Sequence, residues 1–386
     1  MLYQPEAFEP LTDEPWDEQR VRTGIERIVS DTDEAFDPDG LWPANDWDAW
    51  QAPTPLKSLY AGAGGVVWAL DALRRREHAE TRLDLPATAM RAVDLGRAEP
   101  DYMQWDHLPS RPASSLLLGE AGPLVVALRL APTADLADAL FERVRENLDN
   151  EAEELMWGSP GTILAARAMH EWTGEERWAN AVRESSDALL DRREASGLWL
   201  QQLYGKEYRF LGPVHGLLGN VLALLPEHDL RTETAAMLMD EAIVEDGLAT
   251  WPALAGGELQ GGDGKIRLQW CHGAPGMVST AADYLDEELL LAGAELTWRA
   301  GGHGPEKGVG ICHGTAGNGY ALLKTFSRTG DELWLDRARR FAVHALKQAE
   351  SSPGRYSLFT GDVGAALFAS SCLNADARVP VLDTWD

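Results

Sequence analysis

The feature of this sequence that most constrains its fold is a pattern of paired glycines that recurs seven times. Each instance begins with a short apolar or aromatic segment, here called the lead. The lead is followed by G-x-x-G and then by a run of small and apolar residues. Successive first glycines are 57, 39, 58, 57, 41 and 47 residues apart, and each interval can hold two helices with their loops. The pairs are Gly62 and Gly65, Gly119 and Gly122, Gly158 and Gly161, Gly216 and Gly219, Gly273 and Gly276, Gly314 and Gly317, and Gly361 and Gly364.

The segments between the glycine pairs have the period of amphipathic helices, with charged residues opposite an apolar stripe. The segment directly after each pair is richer in small and apolar residues, so we expect that helix to be buried on most sides. Alternation of buried and amphipathic helices predicts an inner and an outer ring. The apolar stripes are clearest at Trp178, Val182 and Leu189 in one segment and at Leu136, Leu140 and Val144 in another.

A glycine near the start of each inner helix permits neighbouring backbones to approach closely at one end of a ring. Periodic repeats of this length are typical of architectures in which each unit buries its apolar face against the next. We therefore predict an all-α fold, an α/α toroid of seven helix pairs. The predicted domain organisation is a single domain over residues 1–386, in which residues 1–50 form an N-terminal extension packing on the barrel.

The charge balance excludes two classes of partner. The formal net charge is −28, from 34 basic and 62 acidic residues, and a field of that sign repels nucleic acid and anionic lipid. Apolar runs are far shorter than the roughly 18 residues of a membrane span. The acidic start of the sequence lacks the pattern of a secretory signal. We therefore expect a cytoplasmic protein with no nucleic-acid and no membrane partner.

Cysteine and histidine occupy equivalent places just before the first glycine in three successive repeats. The fifth repeat has Cys271 and His272, the sixth has Cys312 and His313, and the fourth has His215. Adjacent repeats in a ring would open these places onto one end of the cavity. Two thiolates and one imidazole make a zinc site with an open fourth position, which is typical of catalytic zinc. Spacing alone does not choose between His272 and His313 as the imidazole ligand.

Three segments resemble the lanthionine synthetase cyclase family and its stand-alone LanC-like relatives: WCHGAPG at 270–276, CHGTAGNG at 312–319 and HGLLGN at 215–220. The glycine repeat extends that resemblance over roughly residues 55 to 370. The resemblance implies an α/α toroid with a central Zn²⁺ held by Cys271, Cys312 and His313. It leaves His272 as a neighbour of the ligands, and we assign it to substrate binding.

The resemblance also implies an activity, the addition of a thiol to a dehydroamino acid (dehydroalanine or dehydrobutyrine) to form a thioether. In the cyclases the thiol is a cysteine of the same peptide. In the stand-alone eukaryotic relatives it is glutathione, added to dehydrated serine or threonine residues of proteins. The segment YGKEYRFLGPVHG at 204–216 and the absence of an inserted domain are more like the stand-alone branch. The expected partners are a thiol and a peptide or protein that contains a dehydroamino acid.

The chemistry assigns roles to four further residues. Attack of a thiolate on the β-carbon gives an enolate that needs a proton, and His215 is placed to supply it as a general acid. By resemblance, Arg267 lines the active site and would stabilise the enolate oxygen. Glu154 stands where the family often has aspartate, and it would orient His215. Lys206 would contact a carboxylate of the thiol substrate or the enolate.

Two alternatives stay open from the sequence. A carbohydrate-active α/α barrel would use the fifteen tryptophans for stacking and the acidic segment with Asp46 and Asp48 as its carboxylates. That hypothesis leaves the cysteines and histidines unexplained. A zinc-containing protein that binds a thiol without catalysis is the second alternative. The third cysteine, Cys372, is interpreted as a small buried hydrophobic residue.

Overall fold

A computed structural model describes residues 1–50, 52–103 and 105–385 of the chain. The helices in this part of the chain are α1 Glu18–Glu34, α2 Asp46–Ala49, α3 Ala63–Arg75, α4 Leu85–Ala98, α5 Ala121–Leu130, α6 Ala134–Glu146, α7 Ser159–Thr173, α8 Glu176–Asp191, α9 Leu217–Leu224, α10 Arg231–Glu241, α11 Ala274–Ala281, α12 Glu287–Ala300, α13 Thr315–Thr329, α14 Glu332–Ser351 and α15 Asp362–Asn374. The strands are β1 Phe8–Glu9, β2 Gln201–Leu203, β3 Lys206–Tyr208, β4 Ile243–Glu245, β5 Leu248–Thr250 and β6 Gly302–His303.

The helices that follow the seven glycine pairs form a closed inner ring. These are α3, α5, α7, α9, α11, α13 and α15, and each packs against the next along the chain. The ring closes because α15 also packs against α3. Most residues of these helices are buried, as their composition predicts. The predicted α/α toroid is therefore confirmed.

The amphipathic helices alternate with the inner ones and pack on the outside of the ring. The stripes of α6 and α8 are buried as predicted, while the opposite faces of both helices are exposed. The seventh outer helix precedes the first repeat: α1 packs against α14 and α15. The segment of residues 1–50 thus supplies the outer partner of the last inner helix. Its strand β1 also pairs with β6, which lies ahead of the sixth repeat.

The second glycine of each pair lies where the lead of its own repeat and the lead of the preceding repeat meet. A Cβ added to Gly317 would lie 2.9 Å from the Cβ of Trp270, and it would also meet the carbonyl oxygen of Ile311. At the closure of the ring, a Cβ on Gly65 would lie 2.8 Å from the Cβ of Leu358. Real Cβ atoms do not pack this closely, so only glycine fits. The repeated glycine is therefore the condition for packing seven leads around one end of the ring.

The leads themselves are joined by backbone hydrogen bonds from one repeat to the next. The amide of Cys271 donates to the carbonyl of Cys312 at 3.3 Å, and the amide of Cys312 donates to that of Phe359 at 2.7 Å. The series continues across the closure, from Phe359 to Tyr60 at 3.1 Å and from Tyr60 to Leu117 at 2.9 Å. Residues at these equivalent positions are consequently held side by side around one end of the ring.

The remaining strands are two short hairpins, β2 with β3 and β4 with β5, in the connections that follow α8 and α10. Within the described ranges, no helix combines the length and the apolar character needed to cross a membrane.

Candidate metal centre

Two cysteines and one histidine converge at the end of the cavity where the leads meet. Cys271 and Cys312 lie two residues before the first glycine of the fifth and sixth repeats, and His313 follows directly after Cys312. One ligand atom from each residue lies within 4.8 Å of the other two. Both cysteines are buried, and His313 is partly exposed. The structure thus brings together the three residues that the resemblance assigns as metal ligands.

The donor atoms fit a zinc ion. The Sγ atom of Cys312 lies 3.6 Å from Nε2 of His313. Sulfur and nitrogen ligands at usual zinc distances and a tetrahedral angle are also about 3.6 Å apart. Sulfur donors are unsuited to magnesium or calcium. Three protein ligands leave the fourth tetrahedral position free for a substrate.

The protonation of the two thiols is set by their proximity to each other. Burial and the neighbouring sulfur of Cys271 raise the pKa of Cys312. Burial also opposes ionisation of Cys271, but a hydrogen bond from Cys312 and the nearby imidazoles of His313 and His272 lower the pKa of Cys271 well below its ordinary value. Without a cation the pair therefore holds one thiolate readily and a second one only with difficulty. A divalent ion between the sulfurs would balance the second charge.

Each sulfur also has a hydrogen-bond donor that the sequence analysis missed. The side-chain amide of Gln269 donates to the sulfur of Cys271 at 2.9 Å. The hydroxyl of Tyr60 forms a hydrogen bond with Cys312, and burial together with the cysteine raises the pKa of Tyr60 well above its ordinary value. Tyr60 occupies the place in the first repeat that the cysteines occupy in later ones, and this equivalence could have identified it. No sequence signal marks Gln269.

His215, which is partly exposed, and Glu154, which is buried, form a pair beside the candidate metal ligands. Nδ1 of His215 lies 2.9 Å from Oε2 of Glu154, and the carboxyl group also accepts hydrogen bonds from the amides of Met156 and Trp157 at 3.0 and 2.6 Å. Burial opposes the charged imidazole, but the hydrogen bond and negative charge of Glu154 outweigh it and raise the pKa of His215. His215 lines the cavity. Because Glu154 occupies Nδ1, Nε2 is the nitrogen left to exchange a proton there.

His272 lies behind His215 and outside the cavity lining. Its ring is stacked on that of His215, with centroids 5.8 Å apart and planes inclined by 21°. Burial lowers the pKa of His272 to about 4. Its Nδ1 atom has no hydrogen-bond partner among the described residues. This neutral ring packs against the proposed proton donor, and its role in substrate binding stays a prediction.

Two of the predicted site residues have no hydrogen bond or ion pair with this cluster among the described residues. The guanidinium of Arg267 forms an ion pair with Asp263 at 2.8 Å, and the two side chains are partly exposed. Lys206 is exposed on β3, in the hairpin that also carries Tyr204. Neither residue lines the cavity that His215, Cys312 and His313 line. Their roles toward the enolate or the thiol substrate therefore stay predictions.

Two of the candidate ligands, Cys312 and His313, open onto a cavity of about 570 Å³ whose walls are mainly aromatic. Trp47 lies with its ring edge toward His313, with centroids 5.4 Å apart. Trp105 contacts several other rings at the mouth of the cavity. The lining residues are Trp47, Asp48, Trp50, Tyr60, Tyr102, Trp105, Asp106, Leu118, Met156, Tyr204, His215, Cys312 and His313.

Helix α2 is held over the cavity by a buried ion pair. Oδ2 and Oδ1 of Asp48 accept hydrogen bonds from Nε and Nη2 of Arg355 at 2.8 and 2.6 Å. The guanidinium of Arg355 also lies over the ring of Trp47, 4.9 Å from its centroid. Asp48, which the carbohydrate hypothesis would use as a carboxylate, is thus a partner of Arg355.

Comparison with known proteins agrees with this architecture. Glutathione S-transferase LANCL1 of Danio rerio is 25% identical over 305 residues, which are 70% of this chain and 74% of that protein. LanC-like protein GCL1 of Arabidopsis thaliana is 29% identical over 258 residues, 59% of this chain and 55% of that protein. The structure of nisin cyclase shares the fold, with a TM-score of 0.56 at 15% identity, over 92% of this chain and 94% of that one. The family model of the lanthionine synthetase C-like protein matches residues 53–384, and the chain therefore belongs to that family.

Proposed function

We propose that this chain catalyses the addition of a thiol to a dehydroamino acid of a peptide or protein, forming a thioether. The observation that carries the proposal is the convergence of Cys271, Cys312 and His313 within 4.8 Å at the wall of a cavity that His215 also lines. A site with sulfur ligands for a metal ion and a proton donor thus lie at the same cavity. The thiol is glutathione-like or a peptide cysteine.

Cys271, Cys312 and His313 would hold the zinc ion. Bound there, zinc would supply Lewis acidity that lowers the pKa of a thiol in the open fourth position. Gln269 and Tyr60 donate hydrogen bonds to the two cysteine sulfurs and thereby fix their orientation.

The proton balance of the addition falls to His215. The sulfur forms a bond to the β-carbon, the electron pair of the double bond moves into the enolate, and the α-carbon then takes up a proton. The thiol releases one proton to solvent, Nε2 of His215 gives one proton to the α-carbon, and His215 regains one proton from solvent. The addition is therefore balanced without an oxidant or reductant. His215 is held at Nδ1 by Glu154 with a raised pKa, which keeps a protonated fraction near neutral pH.

The names of the relatives support the same class of reaction. A protein named glutathione S-transferase, 25% identical to this chain, forms a bond to the sulfur of glutathione by the meaning of that name. Glutathione is accordingly the first thiol to test. The buried ion pair between Asp48 and Arg355 gives no support to the carbohydrate alternative.

Metal analysis tests the site itself. We expect about one zinc per chain in the native protein, and a large loss in Cys271→Ala because one of only three ligands is removed. Cys372→Ala is the matched control, since Cys372 is equally buried but lies in α15, outside the ligand cluster. Equal zinc content in Cys271→Ala and Cys372→Ala would refute the assigned site.

A kinetic experiment then separates catalysis from binding. A peptide that contains dehydroalanine is incubated with glutathione, and the mass of the product is followed with and without the protein. His215→Asn can still donate a hydrogen bond toward Glu154 but cannot transfer a proton. We expect it to keep its zinc and to lose on the order of 10²–10⁴ in rate. If the native protein binds glutathione but does not accelerate the reaction, the non-catalytic alternative is established instead.

A further inference from the structure

The mouth of the cavity presents exposed aromatic rings that the proposed chemistry does not use. Trp50 is 67% exposed, and its ring centroid lies 5.2 Å from that of Trp105. Tyr204, which is 40% exposed, contributes a third ring 6.4 Å from Trp105. Large exposed aromatic side chains gathered at one cavity mouth are typical of a binding surface. Together with Asp106, these three rings are here named the aromatic mouth.

Asp106 directly follows Trp105 in the sequence and adds a negative charge on this side of the molecule. It lines the same cavity, its side chain is exposed, and no hydrogen bond or ion pair joins it to the rest of the described chain. None of the residues that line the cavity is a lysine or arginine in the ranges that the structure describes. The aromatic mouth therefore combines ring faces, which attract cations, with an unpaired carboxylate.

The same cavity already contains a complete example of this combination. Beside α2, the ring of Trp47 and the carboxylate of Asp48 are both occupied by the guanidinium of Arg355. The aromatic mouth has the rings and the carboxylate but lacks the third component. Among the described residues, no arginine or lysine lies over the ring of Trp50 or Trp105.

We propose that the aromatic mouth is a subsite for a lysine or arginine side chain of the peptide acceptor, next to the dehydroamino acid. This inference rests on the proposed function, because it takes the acceptor to be a peptide. A cation there would lie against the ring of Trp50 and near the carboxylate of Asp106. The net charge of −28 favours the approach of such peptides over long range.

Direct binding tests this subsite without requiring turnover. The probes are three peptides with alanine in place of the dehydroamino acid and a neutral coumarin label. They are identical except for lysine, norleucine or glutamate at the preceding position. At low ionic strength we expect the lysine peptide to bind roughly three- to thirtyfold more tightly, since a cation–ring contact and an ion pair at exposed groups together supply such a factor. Equal affinities, or tighter binding of a glutamate peptide, would overturn the proposal.

Substitutions localise the preference to the aromatic mouth. Asp106→Asn removes the charge and Trp50→Ala removes a ring, and both residues are exposed enough to be replaced without loss of the fold. We expect each substitution to lower the ratio of the lysine-peptide affinity to the norleucine-peptide affinity severalfold. Trp50→Phe retains a ring and should preserve most of the preference, and Asp240→Asn on the outer helix α10 should preserve all of it. An undiminished preference in both Asp106→Asn and Trp50→Ala would place the cation elsewhere and refute the subsite.

Turnover measurements distinguish failure of this inference from failure of the proposed function. If dehydroalanine peptides with lysine and norleucine react with glutathione at equal kcat/KM, the subsite is refuted while the activity stands. If neither peptide reacts but the lysine preference in binding is lost in Asp106→Asn, the subsite stands and the catalytic proposal fails.

Discussion

The ion pair that holds α2 over the cavity offers the sharpest test of how the site is built. Asp48→Ala would leave the guanidinium of Arg355 buried without its carboxylate, because both side chains are less than one-tenth exposed. Breaking a buried pair by removing one partner costs about 3–5 kcal/mol. The ring of Trp47 would still contact the guanidinium. We therefore expect the free energy of unfolding to fall by about 3 kcal/mol, the lower end of that range.

Denaturant unfolding of a double-mutant cycle measures this effect. The cycle combines Asp48→Ala with Arg355→Met, which keeps much of the side-chain volume and removes the charge. Because the double variant has no unpaired buried charge, we expect it to be less destabilised than the sum of the single variants, by about 2 kcal/mol. Asp229→Ala, which removes the exposed partner of Arg231, should cost less than about 1 kcal/mol.

A loss below about 1 kcal/mol in Asp48→Ala would refute the reasoning, since it would mean that water reaches the guanidinium of Arg355 in the folded protein. The zinc content provides an independent check. Neither residue is a metal ligand, so the variant should still bind zinc although the cavity mouth is weakened.

Three further outcomes follow from individual contacts. Glu154→Gln removes the charge that raises the pKa of His215, so His215 should lose its proton at lower pH. In the pH profile of kcat/KM, the decline on the alkaline side should therefore begin at a lower pH than in the native protein. Gly317→Ala should lower the free energy of unfolding by about 3 kcal/mol or more in denaturant melts, because the new methyl would overlap the carbonyl group of Ile311 and lie 2.9 Å from the Cβ of Trp270. Burial raises the pKa of Asp362 to about 6, so the folded state keeps a proton that the unfolded state loses above about pH 4. The free energy of unfolding should therefore fall as the pH rises from about 4 to 6, and Asp362→Asn should abolish that part of the pH dependence.

Each of these outcomes has a control in the same chain. Glu154→Asp keeps the charge, so it should shift the pH profile less than Glu154→Gln, and an equal shift would contradict the electrostatic explanation. Gly262 has no atom within 4 Å of an added Cβ and should tolerate alanine. A single Asp362 oxygen accepts both backbone hydrogen bonds, at 2.9 and 3.2 Å, so asparagine can retain them. An unaltered pH dependence of stability in Asp362→Asn would show that other groups cause it.

The fold was predictable because its main constraint is local and repeated. Each inner helix must pack against two neighbouring leads at a distance that only glycine allows. The same glycine pair therefore recurs in the sequence seven times. The places of the two candidate sulfur ligands follow from that repetition, since Cys271 and Cys312 occupy equivalent places in adjacent repeats. The choice of His313 over His272 rested on the family resemblance. By contrast, the position of α1 as the seventh outer helix depends on contacts between distant parts of the chain, and no local pattern records them.

The surroundings of the ligands were less predictable for the same physical reason. Glu154 lies in an acidic run that looks solvated, yet it is buried because neighbouring backbone amides and His215 satisfy its oxygens. Arg267 is four residues from a ligand, yet its guanidinium pairs with Asp263. The ion pair between Asp48 and Arg355 joins residues 307 positions apart. Side-chain direction and long-range partners decide these cases, and spacing specifies neither.

The geometry of the candidate metal centre depends on closure of the whole ring. Cys271 and Cys312 belong to the series of hydrogen-bonded leads that continues through Phe359 to Tyr60, where the seventh repeat meets the first. Tyr60 also contacts the candidate metal centre directly, because its hydroxyl forms a hydrogen bond with Cys312. The first and last repeats thus position ligands that neither of them carries. A substitution that opens this closure, such as a larger residue at Gly65, should lower zinc affinity although it lies outside the three ligands.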